Sequence, residues 1–351
     1  MGTRWGICSA GNISHGFVVA LKTPSPEDHQ VSPSAAQELK QMQEFADNHG
    51  IPSVYGRYKD LSVDPEIPAD VVYVGAIHPH HLRVGQLFMN AGKNVLIEKP
   101  FALNAKEVKK LVTVASFQTA KEIFPLFLQA LRTHFFVSVE VKELLSHGDV
   151  GEVRMVRADL VTPLTHIPRL VEKELGGGAL LDIGVYCVQF VLMVYRGERP
   201  ESIQATGYKL DAGVDGHAVI VLKFSCNRMA VCTCSISMML TNDAVIVGNK
   251  GMIKVYIPVH IRCPITFEPS MPLNFTHSAE LRYEAEEVHQ CLLSGKTQQL
   301  GLSSLLAEIT DEARRQVDVT CSQDGSLLFL NKMYINRIGL CSLLWNTSLQ
   351  I

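Results

Sequence analysis

The sequence predicts an α/β protein: a parallel-sheet domain at the N-terminus, then an α+β domain built on a large open, mainly antiparallel sheet. Three observations lead there. Short apolar strands alternate with helical segments up to about residue 120, which argues for parallel strands joined by crossover helices. Beyond that point strand-type runs follow one another through short turns, the pattern of antiparallel pairing. The 351 residues are enough for about two domains, and the expected division is 1–123 and 124–324.

Taken in order, residues 4–10 read as a buried strand, 11–14 as a turn and 17–21 as an apolar-periodic helix. A second strand is expected near 31–36, compromised or displaced by Ser32-Pro33-Ser34, because proline removes a ladder donor. Helix 38–48, strand 71–77, helix 81–90 with Gly92 as its stop, and strand 94–97 follow. Asn104 is placed to cap a helix over 105–116. The second half reads as strands at 152–161, 201–210, 217–224, 229–239, 244–247 and 252–257. Helices are expected at 137–145, 179–195, 280–293 and 302–317.

Composition excludes several classes. Hydrophobic residues are 47% and charged residues 19%, which suits a packed core and not a disordered chain. The net charge is -3 with no long basic run, so nucleic acid is not an expected partner. The nine cysteines are scattered and form no Cys-x-x-Cys pair, which argues against a zinc ribbon or redox dithiol and for reduced thiols in a cytoplasmic protein. Residues 1–11 do not read as a signal peptide, and no uninterrupted apolar run reaches about 18 residues, so no membrane helix is expected.

Four stretches carry chemistry. Gly6-Ile7-Cys8-Ser9-Ala10-Gly11-Asn12-Ile13-Ser14 lies between a strand and a helix, where backbone N–H groups can hold a pyrophosphate. Ser9 and Ser14 stand where glycine or alanine is usual, so the stretch also reads as an ordinary turn. His78-Pro79-His80-His81 follows a buried strand at the edge where ligands of such sheets bind. It also reads as a helix cap, and no second ligand cluster supports a metal. Glu98-Lys99-Pro100 ends the next strand and puts a lysine beside the same edge. Asp182 and Tyr186, after the glycine run Gly176-Gly177-Gly178, are four residues apart and share a helix face. A tyrosine near Lys99 can exchange the proton that accompanies hydride transfer; the plainer alternative is a glycine-rich loop entering a core helix.

In this order and spacing the four stretches resemble the Gfo/Idh/MocA oxidoreductase family, over roughly residues 3–320. The run from Gly177 to Phe190 is the most specific piece. The resemblance implies a Rossmann domain, a sheet domain whose exposed face makes a homodimer, and an NADP cofactor. The activity it implies is oxidation of a trans-dihydrodiol of an aromatic hydrocarbon, or of D-xylose. It implies roles as well: Tyr186 as acid/base with Lys99 and Asp182. Ser9, Gly11, Asn12, Ile13, Gln37, His78, Pro79, His81, Glu98 and Lys99 would lie at the cofactor, and His166, Arg169 and Tyr186 at the substrate. No metal is implied.

The chain departs from the close relatives in places. Gln37 replaces the arginine that pairs with the 2′-phosphate of NADP, which leaves NAD open. Gln129, Arg132 and His134 replace the glutamate, tryptophan and arginine that open the second domain. Residues 325–351 form an apolar tail with no counterpart. These departures keep a second expectation in play, a non-catalytic or weakly active nucleotide-binding relative.

Overall fold

The computed structural model describes residues 2–22, 28–36, 38–63, 69–119, 127–129, 135–256, 271–272, 281–295 and 300–320. Gln37, Arg132, His134 and the 325–351 tail lie outside the described residues, as does the side chain of Gln129.

The first sheet gathers β1 (Thr3–Cys8), β2 (His29–Ala35), β3 (Val54–Tyr55), β4 (Val71–Val74), β5 (Asn94–Ile97) and β6 (Phe127–Gln129). Its order is β3-β2-β1-β4-β5-β6, with every pair parallel. Between the strands run α1 (Asn12–Leu21), α2 (Leu39–His49), α3 (Tyr58–Val63), α4 (His81–Asn90) and α5 (Ala105–Thr119). Parallel strands are covered on both faces, so successive residues feed two cores. Trp5, Ile7 and Tyr73 pack with Phe17 and Phe45 of α1 and α2. Cys8, Val72, Val74 and Ile97 pack with Val84, Phe88 and Leu111 of α4 and α5. The strand order reverses between β1 and β4, and the open edge beyond those strands is the ligand edge of this architecture.

β2 forms despite Pro33. Trp5 pairs with Val31 and Ile7 with Ser34, so Ser32 and Pro33 together oppose Gly6 in a bulge. β3 pairs only with Ser34 and Ala35, so the proline owes no donor to a neighbour there. The Asn104 cap is present: its Oδ1 accepts the Glu107 amide at 2.9 Å.

The second half begins with α6 (Phe135–His147) and β7 (Val153–Val161), then α7 (Pro168–Val171). A π-helical turn, Leu180–Gly184, runs straight into α8 (Val185–Val194). The remaining strands are β8 (Ser202–Lys209), β9 (Asp215–Phe224), β10 (Arg228–Ser235), β11 (Asp243–Gly248) and β12 (Met252–Tyr256). Sheet order is β12-β11-β7-β10-β9-β8. All pairs are antiparallel except β7 with β10. The expected meander is therefore split by β7, which inserts between β10 and β11. Val188, Val191 and Leu192 of α8 close the core over Ala218, Ile220, Cys232 and Ile246. Each fully buried aliphatic chain there contributes about 1.5–3 kcal/mol.

α9 (Leu281–Ser294) and α10 (Leu300–Gln316) end the described chain. α9 returns to the first domain, where Leu281, Ala285 and Val288 join the core under α1. β6 likewise belongs to the first sheet although it lies past residue 123. The run Lys173–Val194 has the length and mean hydropathy of a membrane span, though charged residues interrupt it. Of its most apolar window, 83% is buried inside the fold, as in a core helix.

Candidate functional site

The ends of β1, β4 and β5 set one edge of the site. After β1, Ser9 holds φ 98°, a backbone conformation that favours glycine. Gly11 is the N-cap of α1, and the first turn of that helix carries no acidic side chain. A Cβ at Gly11 would meet only Ser9 Oγ, at 3.6 Å, so the backbone there is open to close approach. A helix N-terminus with bare backbone and no nearby carboxylate suits a pyrophosphate, and Asn12 and Ile13 lie in that first turn. Ser14, in place of the third fingerprint glycine, is fully buried. Its hydroxyl occupies the space that a side chain at Gly75 would need, 2.4 Å from that position. The glycine role in helix–strand packing has moved across to β4.

The end of β5 presents Lys99 to the second domain. Its Nζ donates to the Asp182 carbonyl at 2.9 Å and to Asp182 Oδ1 at 3.0 Å. The same Nζ lies 5.3 Å from the centre of the Tyr186 ring. Arg169 Nη1 also donates to Asp182 Oδ1, at 3.0 Å. Burial opposes ionisation of Asp182, but Lys99 and then Arg169 more than offset it and hold the carboxyl well below its usual range. Two cations share one carboxylate, so these three side chains carry an excess positive charge beside the phenol. The lysine from the first half and the tyrosine from the second meet, as the site requires.

The glycine run makes this possible. Gly177 passes so close to the Leu170 carbonyl that a Cβ would lie 2.5 Å from its oxygen. Gly178 has φ 120° and faces Asp215, whose Oδ1 would be 2.4 Å from an added Cβ. Asp215 Oδ2 accepts the Leu180 amide at 2.6 Å, at the first residue of the π-helical turn. Burial pushes its pKa up to about 6, against the pull of the Leu180 amide and of Arg314. Sequence reasoning missed Asp215, which lies 35 residues from its partner in the chain.

Several expected cofactor contacts serve the scaffold instead. His81 is completely buried, with Nδ1 2.8 Å from the Pro100 carbonyl and Nε2 2.8 Å from the Ala76 carbonyl. Both ring nitrogens point at backbone, so it ties two loops together and offers a cofactor nothing. Glu98 is also turned inward: it accepts the Tyr73 hydroxyl at 2.6 Å and the Lys99 amide at 3.2 Å. His78 is buried across the domain junction, with Nδ1 3.2 Å from the Gly176 carbonyl. Burial, then His81 and Lys99, push its pKa down to about 3, which keeps it neutral. Pro79 is half-buried beside it, and His166 is exposed on the turn before α7. Among the described residues no cluster of His, Cys, Asp or Glu could hold a metal ion.

Comparison with known proteins agrees with this geometry. Residues 3–123 match the oxidoreductase family model described as an NAD-binding Rossmann fold, and residues 138–254 match the GFO/IDH/MocA C-terminal domain. The chain is 54% identical over 342 residues to trans-1,2-dihydrobenzene-1,2-diol dehydrogenase of Danio rerio, covering 93% of this chain and 100% of that protein. It is 38% identical to the protein of that name in Homo sapiens, covering 92% and 99%. Among solved structures, myo-inositol 2-dehydrogenase from Lactobacillus plantarum shares the fold with a TM-score of 0.77 at 18% identity, over 91% of this chain and 98% of that one. GenD2 of gentamicin A biosynthesis, in complex with NAD, gives 0.77 at 17%, over 90% and 94%. The chain belongs to the Gfo/Idh/MocA family of nicotinamide-dependent oxidoreductases.

Proposed function

We propose that this chain is an NADP-dependent dehydrogenase that oxidises trans-dihydrodiols of aromatic hydrocarbons to catechols, with aldoses such as D-xylose as further substrates. The observation that carries the reading is the meeting of Lys99, Asp182 and Tyr186 at the ligand edge of the first sheet. The named relatives, at 38–54% identity across almost the whole chain, favour the dihydrodiol as substrate.

The bound nicotinamide supplies the hydride acceptor. Tyr186 takes the proton of the substrate hydroxyl through its phenol oxygen, a transfer that requires hydrogen-bond reach. Lys99, fixed by two bonds to Asp182, supplies the positive charge that a phenolate at Tyr186 needs. Asp182 holds that lysine in place and, ionised, does not compete for the proton. Arg169, partly exposed on the same carboxylate, is placed to meet the substrate. Gly11, Asn12 and Ile13 would hold the pyrophosphate through their backbone.

Turnover of trans-benzene dihydrodiol with NADP+, followed by the reduced cofactor, tests this. Formation of catechol with equimolar NADPH is expected, and no NADPH above that of Tyr186→Phe counts against it. Gln37 lacks the charge of the arginine that meets a 2′-phosphate, so paired calorimetric titrations with NADPH and NADH decide the preference. Gln129, Arg132 and His134 favour the second reading, a nucleotide-binding relative without turnover; tight cofactor binding with no product from diols or sugars selects it. We further propose a cytoplasmic homodimer. The second sheet leaves Tyr208, Met229 and Met252 exposed on its strands, apolar positions that a second copy could cover.

A further inference from the structure

We infer that Asp215 is a positioning residue for the redox site, whose carboxylate clamps the start of the helix that bears Asp182 and Tyr186. The inference rests on the proposed dehydrogenase activity only for its kinetic consequence.

The backbone shows how the carboxylate reaches that place. Along β9, Ala218, Ile220, Leu222 and Phe224 face the helix-covered core, so simple alternation would turn residue 215 outward with His217. It does not turn outward. Tyr208 pairs with His217 but Lys209 pairs with Asp215, which leaves Gly216 as an extra residue in a bulge. The bulge flips the face of the strand and drives Asp215 inward to complete burial. Gly216 is held there by its carbonyl, which accepts the Ile236 amide at 3.0 Å and the Ser235 hydroxyl at 2.9 Å.

What meets Asp215 is the entrance of the site helix. Oδ2 binds the Leu180 amide, and the Ala179 amide also favours the carboxylate. From the glycine run, Gly178 leaves the space that Oδ1 occupies. From α10, Arg314 adds positive charge while its Nη1 binds the Leu103 carbonyl at 2.9 Å, on the loop that follows Lys99. From β10 comes Cys234, a buried thiol whose pKa is pushed well up by burial and by Asp215 itself, so it stays neutral. On its own strand His217 stacks against Tyr208 beyond the bulge. Burial pushes the pKa of Asp215 up to about 6, so its carboxylate is largely ionised at neutral pH. An ionised cap on a helix entrance is stronger than a neutral one. The residues it fixes are Ala179 and Leu180, just ahead of the carboxylate that holds Lys99.

The test is hydrogen exchange of the 179–186 amides in the whole protein, corrected for intrinsic rate. In the wild type at about pH 8, where the carboxylate is ionised, protection is expected to be about tenfold above that of Asp215→Asn. In Asp215→Asn, which keeps an acceptor but not the charge, protection is expected to be low. Protection at the wild-type level in Asp215→Asn overturns the inference. If Asp215→Asn does not fold, Asp215→Ser, with a smaller side chain in the same space, serves: protection of these amides at the wild-type level there overturns the inference. Kinetics add a second arm. Asp215→Asn should lose about tenfold in kcat at about pH 8, with little change in KM. A wild type without turnover would sink the dehydrogenase reading, while the exchange experiment would still decide the role of Asp215.

Discussion

At the turn after β1 the chain offers backbone: Gly11 at the helix cap, open space around it, and Ser9 at φ 98°. At the end of β5 it offers side chains, with Lys99 and Arg169 both 3.0 Å from one buried carboxylate oxygen. The contrast explains which departures the fold absorbs. A backbone site needs space and direction of N–H groups, so serine can stand at both the first and third glycine positions once Gly75 makes room for Ser14. A side-chain site needs charge at a fixed distance, and each member of the Lys99, Asp182 and Tyr186 set has no substitute nearby.

The comparison breaks first at Lys99. Lys99→Met is expected to lower kcat by about a thousandfold, through loss of the charge beside Tyr186. It also leaves Asp182 buried with Arg169 alone, so a loss on the order of 2–3 kcal/mol of stability should appear in urea denaturation. Tyr186→Phe comes next: kcat down about a hundredfold or more, with cofactor affinity by calorimetry and stability nearly unchanged. A Tyr186→Phe enzyme of wild-type rate would remove the phenol from the account.

Arg169→Met should cost about tenfold in kcat/KM and reshape the pH dependence. The sign follows from the depressed folded-state pKa of Asp182: its contribution to stability is full above the unfolded value of 3.8 and is lost as pH falls through the lower folded value. The wild type should therefore keep this contribution until the pH is well below the ordinary carboxylate range. In Arg169→Met the loss should begin at higher pH, which acid denaturation followed by circular dichroism measures. The smallest effect belongs to the backbone end: Ser9→Gly relieves the positive φ and is expected to stabilise the protein by about 1 kcal/mol, with cofactor affinity changed less than about threefold. A large affinity change there would mean that the Ser9 side chain, and not the backbone, holds the nucleotide.

Local pattern carried much of this into the sequence. The β1–turn–α1 opening, the strands at β4 and β5, the Asn104 cap and the approach of Lys99 to Tyr186 were all legible, because each rests on a short apolar run, a cap or a motif spacing. What stayed hidden depends on partners far along the chain. Pro33 looked set to compromise or displace β2 because the bulge that accommodates it is defined only by pairing with β1. The insertion of β7 beside β10 and the return of α9 to the first core are questions of tertiary order. His81 and Glu98 looked like ligand contacts because they flank the cleft in sequence, yet their side chains point into the scaffold. The Asp182 and Tyr186 spacing suggested one helix face, but Asp182 sits in a π-helical turn, a distortion common at functional sites. Asp215 escaped notice because a one-residue bulge at Gly216 reverses the face that alternation assigns to it.

The central claim is that hydride passes from a substrate carbinol carbon to the nicotinamide while Tyr186, backed by Lys99, takes the hydroxyl proton. The direct measurement uses a trans-dihydrodiol deuterated at its carbinol carbons, with the isotope content of the reduced cofactor read by mass spectrometry. Deuterium transferred to the cofactor by the wild type, and lost in both Lys99→Met and Tyr186→Phe, is the predicted result. Reduced cofactor without deuterium, or undiminished transfer by Tyr186→Phe, would contradict it.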